Sequence, residues 1–364
     1  MSSQIGKNIK ISVFGQSHSD AIGVVIDGLP AGISFDKEKI INFMQRRAPG
    51  RNQYSTSRKE ADFPEIVSGV LKSENDMLVS CGAPLCAIIK NSDQRSKDYD
   101  NLKLVPRPGH ADYTAAIKYH GFNDIRGGGH FSGRLTAPLC FAGALALKIL
   151  EDKGIYIGAH IKSIGNIEDE SFNPMEEDKD IIKNPGRKAF PVIDDSIGNE
   201  MMKLIDEARL DQDSVGGIIE CCIIGLPVGI GDPMFDGVEN IISRAIFGIP
   251  AVKGIEFGDG FGVAGLRGSE SNDEYVIGKD GAVKTLSNHQ GGILGGISNG
   301  MPVIFRAAFK PTPSISRPQR SVNLETNENE ELIIHGRHDS CIVPRAVPVV
   351  EAVTALAVLD LIMQ

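Results

Sequence analysis

Two histidines stand in turns built from small residues, where an imidazole can reach a ligand: His18 in Gly15-Gln16-Ser17-His18-Ser19 and His110 in Arg107-Pro108-Gly109-His110. A single turn histidine is as a rule solvated surface, but two of them in charged turns favour proton transfer near neutral pH. Beyond His110 comes Gly127-Gly128-Gly129, with Arg126 before it and Arg134 after it at the head of a helix. Glycines let a ligand touch backbone N–H groups and a helix N-terminus adds partial positive charge, so the stretch suits an anion. Taken alone, the triple glycine reads as a mobile loop. Lys310-Pro311-Thr312-Pro313-Ser314 offers one cation and two hydroxyls on a stiff backbone, which suits a phosphate and equally an ordinary Pro-rich turn. Asp339, behind Gly336-Arg337-His338, is either a base or the partner of an arginine, and spacing favours pairing.

Composition says what such groups would meet. The chain carries a net charge of −9, which argues against broad nucleic-acid binding. Its basic residues nevertheless concentrate at Arg46, Arg47, Arg51, Arg58 and Lys59, at Arg107, Arg126 and Arg134, and at Lys310, Arg317, Arg320, Arg337 and Arg345. An acidic protein with a basic cleft attracts a small polyanion. Sequence motifs for a nucleotide triphosphate loop, a G-x-S-x-G serine or an H-E-x-x-H metal site are missing, and Gly291-Gly292-Ile293-Leu294-Gly295-Gly296 matches a dinucleotide loop only loosely. Cys81, Cys86, Cys140, Cys221, Cys222 and Cys341 include no C-x-x-C pair and read as buried free thiols, not metal ligands. No apolar leader opens the chain and no uninterrupted apolar run reaches membrane-spanning length, so a cytoplasmic location without membrane contact is expected.

The elements that must position these residues follow from periodicity. Residues Ile9 to Phe14 and Ile22 to Ile26 read as paired strands, with His18 in the turn between them. Asp36 caps a helix that ends after Arg46-Arg47 at Pro49-Gly50. Glu65 to Leu71 and Leu85 to Ile89 are further strands. Gly28-Leu29-Pro30-Ala31-Gly32-Ile33 recurs as Gly225-Leu226-Pro227-Val228-Gly229-Ile230, each followed by Phe-Asp and a helix; Gly82 and Pro84 recur as Gly300 and Pro302. These matches define two strand-helix-strand-strand units, approximately 22–90 and 216–310, the second about 21 residues longer, with the excess between Gly258 and Gly291. Between them a helix after Arg134 is apolar nearly all round, as is a last helix from Ala346 to Ile362, which marks both as central. Residues 167–193, acidic and proline-containing, read as a surface connection. The expected fold is α+β, a single-domain β-α-β sandwich over 1–364 in which two pseudo-twofold-related units surround central helices.

Longer motifs add a resemblance. GQSHS at 15–19, RRAPG and TSRKEAD between Arg46 and Asp62, NSDQRSKDYD at 91–100, RPGHADYT at 107–114, RGGG at 126–129, SNHQGGILGGISNG at 287–300, FKPTPSI at 309–315 and GRHD at 336–339 together closely resemble chorismate synthases. The similarity runs in the expected order over nearly the whole chain. It implies a lyase of the shikimate pathway that converts 5-enolpyruvylshikimate 3-phosphate to chorismate and phosphate, an anti-1,4-elimination that requires reduced FMN without net oxidation. It also implies a homotetramer. Because the chain has no convincing pyridine-nucleotide fingerprint, reduced flavin would come from an external reductant.

Carried over by position, His18 would protonate the leaving phosphate, His110 would protonate or stabilise the reduced flavin, and Asp339 would help the flavin act as base. Arg46 or Arg47, with Arg107, Arg134 and Arg345, would hold substrate oxygens beside Ser17 and Ser132. Ala251, Gly295, Lys310, Pro311, Thr312, Pro313, Ser314 and Arg337 would surround FMN, with His130, Phe131 and Ser132 at its rim. Two departures stand out. The family reads R-S-S-A-R where this chain has His130-Phe131-Ser132-Gly133-Arg134, and a family arginine is Gln53 here, with Arg51 two residues away. Both put FMN contacts in question more than substrate contacts. A net-redox flavoenzyme and a non-catalytic anion-binding relative with a degenerate flavin loop are the competing readings.

Overall fold

The computed structural model describes residues 3–50, 62–72, 77–91, 102–279, 281–334 and 339–363. Two five-stranded antiparallel sheets enclose a layer of helices. In the first sheet the order is Gln4–Ile5, Lys10–Gly15, Ala21–Asp27, Leu85–Lys90, Glu65–Ser68. In the second it is Ile167–Glu168, Tyr156–Ile164, Gly217–Ile224, Val303–Phe309, Val252–Phe257. Alternation selects the inner faces: Ile22, Val24 and Ile26 all point to the core from one strand.

Helix Thr136–Asp152 packs on the first sheet and helix Val343–Ile362 on the second, and the two pack on each other. Neither has a polar stripe, because each is covered on all sides. Their approach is close enough that a Cβ at Gly143 would lie 2.4 Å from the Cα of Ala352. By length and composition Gly133–Asp152 could cross a membrane, yet 72% of its most apolar window is buried inside this protein. Helices Lys37–Arg47 and Val238–Ile246 complete the layer.

The two repeats adopt the same order. Ala21–Asp27, Lys37–Arg47, Glu65–Ser68 and Leu85–Lys90 correspond to Gly217–Ile224, Val238–Ile246, Val252–Phe257 and Val303–Phe309, and the strands are neighbours in the same sequence within each sheet. Even the turn bonds match. Ser80 Oγ donates to Pro30 O at 2.5 Å and accepts from Ile33 N at 3.0 Å; Ser298 Oγ donates to Pro227 O at 2.5 Å and accepts from Ile230 N at 2.9 Å. The second unit's excess holds the hairpin Tyr275–Ile277 and Val283–Thr285.

Three expectations need correction. The strand expected over Glu65 to Leu71 breaks at Gly69, whose left-handed backbone sends Glu65–Ser68 and Val70–Lys72 into different sheets. The connection 167–193 contains a helix, Lys179–Arg187, capped by Asp178 and anchored by the fully buried Ile182 against Tyr156–Ile164. Of the cysteines, Cys81 is exposed just past the end of strand Leu78–Ser80 and Cys86 is half-buried on the outward face of Leu85–Lys90, while the other four are buried.

Candidate active site

A cleft of about 480 Å³ opens where the helix ends and loops of both units meet. The C-terminal end of Lys37–Arg47 brings Arg47; the segment before Thr136–Asp152 brings Gly127, Phe131, Ser132 and Arg134; the loop after Val303–Phe309 brings Lys310, Thr312, Pro313 and Ser314. Arg107 and His110 close one side, Asp339 and Arg345 another, and Ile249, Pro250 and Ala251 supply an apolar wall. Among the described residues, five basic side chains (Arg47, Arg107, Arg134, Arg345, Lys310) thus stand against three carboxylates (Asp62, Asp112, Asp339) in and directly behind this cleft.

The sequence left Arg46 and Arg47 as alternatives, and the geometry separates them. Arg46 turns into the helical layer, bidentate to Glu351 at 2.5 and 2.9 Å. Arg47 lines the cleft, with Nε on Thr136 Oγ1 at 3.0 Å, Nη2 on Gly133 O at 3.1 Å and Nη1 on Asp62. Arg134 shares that carboxylate and also donates from Nε to Asn91 Oδ1 at 3.0 Å. Burial alone would raise the Asp62 carboxyl, but the adjacent guanidiniums hold it below its ordinary value. Arg345 donates to Asp339 at 2.6 Å and to Arg47 O at 3.1 Å. Burial lowers its guanidinium from the usual value, Asp339 opposes that, and Arg47 adds to it. An arginine nonetheless stays charged.

Arg107 and His110 form one unit with Asp112. The carboxylate accepts from Arg107 Nε at 2.7 Å and Nη2 at 2.8 Å, and lies 2.6 Å from His110 Nδ1. Arg107 Nη1 also reaches Ser314 Oγ at 3.1 Å. Burial pushes Asp112 up, and the hydrogen bonds from Arg107 and His110 outweigh it, so the group lies far below the ordinary carboxylate range. Asp112 therefore stays ionised and keeps a proton on His110 Nδ1.

The triple glycine separates the two histidines. Gly127, Gly128 and Gly129 have φ of 60°, 83° and 56°. A Cβ on Gly127 would lie 2.4 Å from the His18 ring and 2.5 Å from Ser17 Oγ, and one on Gly128 would lie 3.1 Å from His110 Nε2. His18 and Ser17 are thus buried directly behind the cleft wall at Gly127, although they do not line it themselves.

Not every expected residue converges. Arg46 and Pro311 do not line the cleft, and Gly295 sits in the hairpin turn between Ile293–Leu294 and Ile297–Ser298, outside it. His130 turns away: Nδ1 lies 2.7 Å from Gly15 O and Nε2 2.7 Å from Ser3 Oγ. Phe131 does face the cleft, 40% exposed. Arg337, Gln53 and Arg51 lie outside the described residues, as does all of the 91–100 motif after Asn91. Sequence reasoning missed Asp62, Asp112, Asn91 and Thr136. Asp112 carried a signal, two residues after His110 and five after Arg107 in one short motif.

Residues 9–363 match the family described as chorismate synthase. The chain belongs to the chorismate synthase family. Proteins called chorismate synthase from Lancefieldella parvula, Dehalococcoides mccartyi and Thermococcus kodakarensis are 48%, 46% and 46% identical, over 99%, 99% and 98% of this chain and 96% of each relative. A solved structure described as the crystal structure of chorismate synthase has a TM-score of 0.75 at 25% identity, covering 99% of this chain and 93% of that one. The mixed helix–strand fold is that of the chorismate synthase family.

The donor set suits the flavin that this family implies. Among the described residues, Thr312 Oγ1 is buried without a hydrogen-bond partner on the cleft wall, beside the Lys310 cation and the apolar surface of Pro250, Ala251 and Pro313. A phosphate-bearing aromatic ligand would satisfy the hydroxyl and the cation and cover that surface.

Proposed function

We propose that the cleft performs the anti-1,4-elimination of phosphate from 5-enolpyruvylshikimate 3-phosphate with reduced FMN and no net redox change, as a phosphate-eliminating carbon–oxygen lyase. The observation that carries this reading is the convergence on one cleft of the arginine cluster and His110, with His18 packed behind the glycine loop that forms part of the cleft wall. A substrate with two carboxylates and a phosphate needs several fixed cations. Arg47, Arg134 and Arg345 form one such group, and Arg107 lies beside His110 within the same cleft, its Nη2 3.1 Å from His110 Nδ1. Fixed guanidiniums stabilise charge that develops on a leaving phosphate, since they need not reorganise during the reaction.

Proton handling falls to the histidines. His18, shielded behind Gly127 beside Ser17 Oγ, would deliver a proton toward the leaving phosphate; the Ser17 hydroxyl is buried without a partner in the described structure and suits a substrate oxygen. His110, anchored through Nδ1 by Asp112, presents Nε2 to the loop at Gly128. Asp339, held by Arg345, supplies a carboxylate next to the cation that would bind substrate. Lys310, Thr312, Ser314 and Ala251 would hold FMN, with Arg337 and Ser132 in the same role by position. When bound, reduced FMN would lend electron density to the substrate as phosphate leaves and would recover it as the substrate ring loses its proton, so that no net oxidation results.

The same reading makes residues 1–364 one domain, since both repeat units contribute to one cleft. It makes the protein a cytoplasmic homotetramer supplied with reduced flavin by a separate reductant. Exposed Phe235, Phe261 and Tyr275 offer apolar surface for contacts between copies. Incubation with substrate and chemically reduced FMN without oxygen, following phosphate and chorismate, tests the reaction. Turnover without lasting flavin oxidation supports it; stoichiometric flavin oxidation would indicate a net-redox flavoenzyme, and no turnover an anion-binding relative.

A further inference from the structure

Asp62 closes a run of mixed charges in the sequence and carries no catalytic signal there. In the structure one of its carboxylate oxygens bonds Arg47 Nη1 and the other Arg134 Nη1. Its side chain is 0% exposed, and those of the two arginines 5% and 4%. Arg47 and Arg134 line the cleft whereas Asp62 does not, so the carboxylate grips both cations from behind. Its backbone has φ of 47°, a left-handed conformation that an aspartate tolerates better than most residues.

The two arginines come from separate elements, one ending Lys37–Arg47 and the other preceding Thr136–Asp152. Two adjacent guanidiniums repel each other when buried, and each would otherwise choose among several rotamers. A shared carboxylate removes the repulsion, fixes both planes and leaves the trio with one net positive charge. Thr136 Oγ1 and Gly133 O immobilise Arg47 further, as Asn91 Oδ1 does Arg134. We infer that Asp62 is a positioning residue that holds Arg47 and Arg134 as one preorganised receptor for an oxyanion of the substrate, either a carboxylate or the phosphate. The inference rests on the function proposed above. It assigns Asp62 no contact with substrate or flavin.

Asp62→Asn keeps the shape and removes the charge; Asp62→Glu keeps the charge and shifts the fork by one methylene. Steady-state kinetics with saturating reduced FMN should show KM for substrate raised about tenfold or more in Asp62→Asn and at least about threefold in Asp62→Glu, with kcat falling less. The dissociation constant of oxidised FMN, read from flavin fluorescence, should stay within about twofold, which a general loosening of the fold would not allow. Competitive inhibition by inorganic phosphate and by shikimate distinguishes the two oxyanions: weakening of either supports the inference and says which group is held, and weakening of neither overturns it. An unchanged KM in both variants also overturns it, and Asp62→Glu carries the comparison if Asp62→Asn does not fold. Failure of the unaltered protein to turn over in the same assay would instead refute the underlying function.

Discussion

Arg46 and Arg47 are consecutive in the chain, yet their guanidiniums grip different carboxylates: Arg46 holds Glu351 inside the helical layer and Arg47 holds Asp62 behind the cleft. A helix rotates successive residues by about 100°, so neighbours cannot share a target. Arg46→Ala leaves the nearly buried Glu351 without its cation, at a cost of about 2 kcal/mol after allowing for the partial exposure of Arg46. The expected outcome is a lower Tm with kcat/KM retained within about threefold. Arg47→Ala should instead reduce kcat/KM by about a hundredfold, the loss expected if the proposed charge-assisted contact to substrate is removed. Thermal denaturation and kinetics of the two variants check the pair, and equal kinetic damage from both would show that the assignment is wrong.

The glycine loop makes a steric prediction. Gly127→Ala adds a Cβ that meets the His18 ring and forces an alanine into a left-handed conformation costing about 1–2 kcal/mol. Moving His18 should lower kcat at least about tenfold. Gly128→Ala meets His110 Nε2 less severely, so its effect should be the smaller of the two. If Gly128→Ala proves the more damaging in kcat, the histidine behind Gly127 is not the one that matters most.

Much of this arrangement was legible beforehand, for definite reasons. The repeats at Gly28 and Gly225 announced themselves because each turn needs the same serine bridge, and the all-round apolar helices could only be central. The link from Arg47 to Asp62 and Arg134 was not legible, since the partners lie 15 and 72 residues apart and meet only through the fold. Nor was the direction of His130. A side chain at a glycine-rich corner can turn to either side, and here Gly15 O and Ser3 decide. The helix at Lys179–Arg187 was obscured by Pro185 near its end, since proline lacks the N–H that an i→i−4 bond needs and so reads as a helix breaker.

Stability should depend on pH through His160, which lies outside the cleft. Its Nε2 faces Glu220 Oε1 at 3.2 Å and its Nδ1 faces Ile161 O at 3.1 Å and Asp169 at 3.4 Å. Acceptors at both nitrogens favour the doubly protonated ring. Burial lowers the His160 value, but Asp169 and Glu220 outweigh it and the net shift is upward. A raised histidine contributes stability that is complete below its unfolded value of about 6.5 and is lost as pH rises through the folded value. Asp169 and Glu220 are shifted down despite burial, so their contribution is present above the ordinary carboxylate range and is lost on acidification. Tm should therefore fall as pH rises above the ordinary histidine value of about 6.5, and His160→Gln should flatten that fall; an unchanged slope would count against a charged His160.

Thiol chemistry separates buried from accessible cysteines. Burial pushes Cys140 and Cys341 up to about 12 and raises Cys221 and Cys222 as well. Thiolate is the reactive form, so these four should be inert in the folded protein. Titration with a chromogenic disulfide near pH 8 should modify Cys81 rapidly and Cys86 slowly, and should reach all six only after denaturation. Rapid modification of three or more native thiols would contradict the burial described here.

The pair His130-Phe131 yields the last prediction. The sequence puts the FMN contacts of both residues in question, and the structure separates the two: His130 is tied to Gly15 O and Ser3, while Phe131 faces the cleft within reach of the Tyr119 ring, 6.4 Å between centroids. Phe131 offers apolar area but no hydrogen-bond donor to the cleft, at a position where the resemblance implies a serine. Phe131→Ser should therefore tighten FMN binding by about fivefold, the worth of one net hydrogen bond to a polar ligand. His130→Ala should change it by less than about twofold, since that ring serves the strand end and not the cleft. Flavin fluorescence titration of both variants, alongside His130→Arg combined with Phe131→Ser, measures each contribution. A tightening confined to variants that alter residue 130 would mean that the loop rearranges on binding and that His130 then turns toward the flavin.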